Sequence, residues 1–434
     1  MFHPLLDSVF TAFDQTGVRW CLLRIPSVPN APTGDIDLLV APADSGRVRH
    51  VLETLGFVVV PNISYRSHTF FLTYHLPTRT WIQLDVVTAL SFGPYYTLRT
   101  GAEAGCLARR RRDGTAIVLA DGDLFWVLLL HCLLDKGAIA PRHRVCLQRL
   151  AEDGPTDSPL AHIVDMVCPL QWSATRMVSC ARGGDWALLE RCAPSLAVSW
   201  ARRPSSIPAV VNRIVRLLET PLHRRGLSIA LLGPDGTGKS TLAAGIQGSF
   251  YFPVHLVYMG LGDDRLEPLA RLRLPGIGAP GRLLTLWWRY IRARYYQLRG
   301  HIIIFDRYTY DALLPSAEPL TPFQKAARWL LAHACPRPDM VFVLDAPGDI
   351  MYARKGEYNP IHLETERQHF VALRQRISTI QIVDVTRDKD VVRADLADRI
   401  SQRYFARYKS LEAHPVMCSH CQQPASESLP CRLS

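Results

Sequence analysis

Eight consecutive residues, Gly233-Pro-Asp-Gly-Thr-Gly238-Lys239-Ser240, set three glycines, a lysine and a hydroxyl at the spacing of a phosphate-cradling loop. Backbone N–H groups in such a loop converge on a polyphosphate, which side chains at the glycine positions would obstruct. Lys239 can reach the outer phosphates as a point charge, and the Ser240 hydroxyl is suited to coordinate Mg²⁺. The expected contact set for ATP is therefore Gly233, Gly236, Thr237, Gly238, Lys239, Ser240 and Thr241.

The flanking residues supply what the loop needs. Leu227 to Leu232 is apolar enough for a short buried strand, and Thr241 to Gln247 reads as the start of a helix whose positive dipole end faces the phosphates. Further on, His301-Ile-Ile-Ile-Phe-Asp306-Arg307-Tyr308 reads as a strand ending in an acid and a base. On a parallel strand Asp306 would lie beside the loop and hold the water of a Mg²⁺ ion, and Arg307 would face incoming anions.

A second constellation lies near the start of the chain. Asp35 and Asp37 stand two apart at the mouth of one strand, so they share a face, and Asp85 lies within a later alternating strand, Trp81 to Val87. Three acids converging on one sheet would suit a divalent metal bridging them to a triphosphate. From residue types alone, a turn cap at Asp35, a strand-edge acid at Asp37 and an unrelated surface acid at Asp85 explain the pattern equally well.

The surrounding chain divides accordingly. Residues 1–122 alternate helix and strand, 123–200 are mainly helical, 201–226 (ARRPSS onward) form a linker and entry helix, and 227–410 alternate strand and helix. The last pattern calls for a parallel sheet covered on both faces. The fold class expected is thus α/β, with an α+β domain and a helical extension ahead of it. Helical spacing runs from Leu124 through Val145, and an aromatic run, Trp287 to Tyr296, is expected to face the core. Residues 411–434 read as a disordered tail, in which Cys418, His420, Cys421 and Cys431 lack the second close pair of a zinc site.

Composition narrows the function classes. The 434 residues carry a formal charge of +11, but of 50 basic residues 44 are arginine and they are scattered. Small anionic substrates are favoured, and nothing in the pattern points to nucleic acid. A mean hydropathy of +0.03 describes a well-buried protein. The most apolar run, Leu124 to Leu134, is too short to span a membrane, and eleven dispersed cysteines with a start that lacks a signal peptide point to reduced thiols in the cytoplasm.

Residues Leu227 to Tyr408 resemble the thymidylate kinase-like branch of nucleoside monophosphate kinases, on the loop with its internal Asp235, then Asp306-Arg307-Tyr308, Pro338-Asp339 before a strand ending in Asp345, and Arg354. The resemblance implies ATP and Mg²⁺ as cofactors and a catalytic set of Lys239, Asp306, Arg307, Asp235 and Arg354. In it Asp235 contacts the acceptor, Arg307 contacts the acceptor's anionic group, and the stretch from Arg354 to Glu364 closes as a lid. No Arg-Glu-Pro-Gly segment follows the second strand, so the acceptor is read broadly, as a nucleoside monophosphate or another small anionic or hydroxyl compound.

Residues Val18 to Ala89 resemble the nucleotidyltransferase superfamily on Gly34-Asp35-Ile-Asp37 with Asp85, which implies that these acids bind metal. The family's Gly-Ser is replaced by the proline-rich Pro26 to Pro32, so a non-catalytic binding module is the alternative. A nucleotide-binding regulatory switch is the other, although no Asn-Lys-x-Asp follows the loop to read guanine. A homodimer is left open.

Overall fold

The computed structural model describes residues 2–206, except 27, 33, 61–66 and 169–170, together with 211 and 226–412, except 251–252, 261–277 and 317–318. Most of the linker and entry helix expected over 201–226 and the cysteines of the tail lie outside these residues. The chain divides into two compact units, Met1–Thr220 and Pro221–Ser434.

In the first unit the described residues form a mixed sheet of seven strands: β1 (Trp20–Leu22), β2 (Asp35–Val40), β3 (Val58–Val59), β4 (His68–His75), β5 (Thr80–Val87), β8 (Arg111–Asp113) and β9 (Ala116–Val118). Their order is β3-β4-β5-β2-β1-β9-β8, and a separate hairpin pairs β6 (Ser91–Phe92) with β7 (Leu98–Arg99). The pleat sends alternate residues to opposite faces, and both faces are covered. Trp20, Leu22, Leu38 and Val40 pack with Phe10 and Phe13 of the helix Pro4–Gln15. Cys21, Leu39 and Val87 join a core built from the helices between Asp121 and Ala201. The helical extension thus closes one face of this sheet and shares its core.

The continuous helix expected over Leu124 to Val145 is interrupted. The helix Asp121–Leu130 widens into a π-type turn, His131–Lys136, which stops at Gly137 in the left-handed region (φ 70°), and the chain restarts with Pro141 at the head of Pro141–Glu152. Apolar periodicity carries across such a break because both helices bury the same kind of residue.

The second unit holds a parallel sheet of β10 (Ser228–Leu232), β11 (Val254–Tyr258), β12 (Ile302–Asp306), β13 (Met340–Asp345) and β14 (Ile380–Asp384), ordered β11-β12-β10-β13-β14. β10 and β13 are buried along nearly their whole length, as a parallel sheet flanked by helices requires. Asp339 locks the start of the central strand by accepting bonds from the Ser228 N–H at 2.9 Å and the Ser228 hydroxyl at 2.8 Å. The aromatic helix, Gly278–Leu298, turns Leu286 and Ala293 inward, but Trp287 (48% exposed), Trp288 (65%) and Tyr295 (54%) face outward, contrary to expectation. Consecutive aromatics span more than the one stripe of a helix that a sheet can cover. Among the described residues no helix is long and apolar enough to cross a membrane, and the described cysteines are free thiols.

Candidate active site

The loop that follows β10 opens at the carboxyl edge of the parallel sheet, between the ends of β12 and β13, where open α/β sheets hold their ligands. It borders a cleft of about 1590 Å³. Gly233 (φ 141°) and Gly236 (φ 87°) adopt backbone that L side chains rarely reach, and each is also sterically closed. A Cβ on Gly233 would stand 2.8 Å from the Leu344 carbonyl, and one on Gly236 would stand 2.5 Å from that of Met351. Gly236→Ala is therefore expected to displace the loop and destabilise the second unit by about 1–2 kcal/mol or more, the cost of left-handed backbone at a non-glycine residue. Urea denaturation measures this, and an unchanged midpoint would contradict it.

Gly238, left-handed at φ 85°, caps the helix Lys239–Gln247 and presents its first N–H groups to the cleft. The Lys239 side chain is 6% exposed, and its ammonium donates to the carbonyls of Gly233 and Pro234, both at 2.8 Å. Burial, reinforced by Arg307, lowers its pKa to about 8. The next residue, Ser240, donates its hydroxyl to Asp306 Oδ2 at 2.7 Å. Thr237 is tied to the Pro234 carbonyl at 2.8 Å, and Thr241 lines the cleft.

Beside the loop runs a line of alternating charges. Arg307 sits at φ 66°, a left-handed turn directly after β12. Its guanidinium donates to Asp235 at 2.6 Å and lies 3.7 Å from Asp311. Burial works to raise the Asp235 carboxyl, but Arg307, Lys239 and Lys355 together hold it below its ordinary range. Burial wins at Asp311, which is pushed up to about 6 against the opposing pull of Arg307 and Lys239.

The stretch expected to form a lid divides its roles differently from the sequence reading. Arg354 lines the cleft but donates one guanidinium N–H to the Val385 carbonyl at 2.9 Å, whereas Lys355 stands 3.9 Å from Asp235 and 2.9 Å from Glu357. Gly356, left-handed at φ 69°, ends the helix Gly348–Lys355. Asp311 and Lys355 were not picked out as site residues from the sequence. Asp311 was within reach of a spacing argument, because it follows Arg307 by four residues in a short helical turn, Thr309–Leu313.

In the first unit β2 and β5 run parallel with Asp37 opposite Asp85 and Asp35 opposite Gln83. All three acids have the parity of Leu39 and Val87, so they face the side covered by the helical extension. Asp37 pairs with Arg24 at 2.9 Å and Asp85 with His68 Nδ1 at 2.8 Å. Burial pushes the Asp37 carboxyl up to about 6, with Arg24 opposing and Asp85 adding. Arg24 and His68 carried no signal in the sequence beyond being single residues on strands or strand ends. Among the described residues no group of three or more His, Cys, Asp or Glu side chains is assembled to hold a metal.

No family model matches the chain, and no curated protein matches it. Among solved structures, thymidylate kinase from Candida albicans is similar to 42% of this chain over 93% of its own length, at 23% identity and a TM-score of 0.33. That likeness is weak. The chain folds as a mixed α/β protein with a helix-flanked parallel sheet and a glycine-rich loop at its carboxyl edge, compatible with a phosphate-loop kinase fold.

Proposed function

We propose that residues 227–410 catalyse phosphoryl transfer from ATP to a small acceptor. The observation that carries this reading is Lys239: a buried ammonium inside a glycine-gated loop at the sheet's carboxyl edge, one residue before the Ser240–Asp306 couple. Phosphoryl transfer asks for positioning and for neutralisation of spreading charge more than for covalent chemistry. In this reading the loop N–H groups hold the phosphates, and the Lys239 ammonium exchanges its two loop carbonyls for phosphate oxygens. The Arg354–Lys355 helix end brings further positive charge to the same cleft.

The donor set suits a hard cation, since the Ser240 hydroxyl and Asp306 carboxylate are oxygen ligands 2.7 Å apart beside the loop. Magnesium held there would supply charge neutralisation across the phosphates. The test is an ATP-consumption screen over nucleoside monophosphates, nucleosides and sugars, with Lys239→Ala as the blank. Turnover equal in protein and blank would end the reading.

For the first unit, the in-register pair Asp37 and Asp85 supports a nucleotidyltransferase-like site, with a non-catalytic binding module as the alternative. Asp37→Ala is then expected to reduce metal-dependent nucleotide transfer by at least the roughly 10- to 100-fold that loss of a mere partner of a metal ligand causes. Transfer of a labelled nucleotide measures it, and a binding module is the answer if no metal-dependent transfer is seen in either form.

A further inference from the structure

We infer that the acceptor in the second unit is a neutral hydroxyl compound, such as a nucleoside or free sugar, and that Asp311 is the catalytic residue that accepts its proton. The inference rests on the kinase reading above and concerns the acceptor side of the same cleft. Arg307, the group that would pair an acceptor phosphate, is already enclosed, with Asp235 at 2.6 Å and Asp311 at 3.7 Å. Two carboxylates thus occupy the guanidinium donors that an acceptor phosphate would need, and Lys239 and Lys355, at 3.8 and 3.9 Å from Asp235, are drawn to the same carboxylate. A phosphomonoester would have to displace a carboxylate to reach this guanidinium and leave that carboxylate beside its own charge. A hydroxyl meets no such barrier.

Asp311 lines the cleft, and its Oδ1 is buried with no hydrogen-bond partner among the described residues. A carboxylate oxygen without a donor is costly, and an acceptor O–H is a donor of the right size and charge. The charged groups facing Asp311 are Arg307, Lys239 and Asp235. They leave its carboxyl titrating at about 6, so it is ionised at neutral pH yet basic enough to take a proton. In the step, the acceptor oxygen forms a bond to the γ-phosphorus of ATP while the bond from that phosphorus to the β–γ bridging oxygen breaks. The bonding pair stays with ADP, and the hydroxyl proton passes to Asp311 and then to solvent.

The purified full chain is assayed for ADP release with Mg·ATP and two acceptor panels, neutral nucleosides and free sugars against their monophosphates. ATP affinity of the protein and of Lys239→Ala is measured in parallel by calorimetry. Neutral acceptors are expected to raise ADP release well above the acceptor-free rate while monophosphates do not. Asp311→Asn is expected to lower kcat by about 10²-fold or more with the KM for ATP little changed. Stimulation by monophosphates alone, silence of both panels while ATP binds through Lys239, or full kcat in Asp311→Asn would each overturn the inference. Absence of Lys239-dependent ATP binding would instead remove the kinase reading beneath it. Should Asp311→Asn fail to fold, the two panels with the unaltered protein still decide.

Discussion

Lys239→Ala is expected to lower kcat/KM for phosphoryl transfer by about 10³-fold, the upper range for removing one charge-stabilising donor from a preorganised site. The two other cations that face Asp235 are already engaged, because Arg307 is held by two carboxylates and Lys355 pairs with Glu357. The unaltered protein should show kcat/KM falling as pH rises through about 8, where the buried ammonium of the free form loses its proton. Stability should move the other way. Below about 8 the lysine is charged in both folded and unfolded chains, and the folded form bears the cost of burying that charge. Between about 8 and the ordinary lysine value of 10.5 only the unfolded chain stays protonated, so stability rises with pH. Denaturation midpoints across this window should climb in the unaltered protein and climb less in Lys239→Ala. Parallel curves would mean that the titrating group is another.

Trp20→Ala should destabilise the first unit by about 3–5 kcal/mol, a large share of the 5–15 kcal/mol that holds a domain together. Trp20 is fully buried, stacks on Phe10 at a centroid distance of 4.7 Å, meets Phe13 edge-on at 5.7 Å and donates its indole N–H to Asp14 at 3.1 Å. Truncation leaves a cavity walled by a helix and a sheet that cannot both collapse into it, and strands Asp14 without that donor. Urea denaturation followed by circular dichroism gives the number, and a loss below about 1 kcal/mol would show that the site repacks.

What could be read from the chain follows from how local the information is. The strand–loop–helix around Lys239 is contiguous, so its pattern names its geometry, and Asp306 was reachable because a run of isoleucines leads straight to it. The parity of Asp35 and Asp37 was likewise fixed by a two-residue spacing, but the register that puts Asp37 beside Asp85 depends on strand pairing across 48 positions. His68 and Arg24 reach the acids only through tertiary contacts. Arg354 and Lys355 are neighbours, and a helix sends neighbours about 100° apart, so which of them meets Asp235 was decided by how the helix Gly348–Lys355 sits. The outward Trp287 and Trp288 show the converse, where residue type argued for burial and geometry left no room.

The placement of β10 has a consequence for synthesis. The glycine-rich loop is translated early in its unit, yet the strand that carries it is flanked by β12 and β13, and the Ser228–Asp339 clamp joins residues 111 apart. At about 5–20 residues per second, a ribosome needs on the order of 5 to 20 s to deliver the second partner after the first. For that interval the edge of β10 that β13 will cover waits without its neighbour, exposed to chaperones and to other nascent chains. The glycine-rich loop is thus framed on both sides only past the midpoint of this unit, and slowing elongation between the two partners would lengthen the vulnerable period without altering the finished protein.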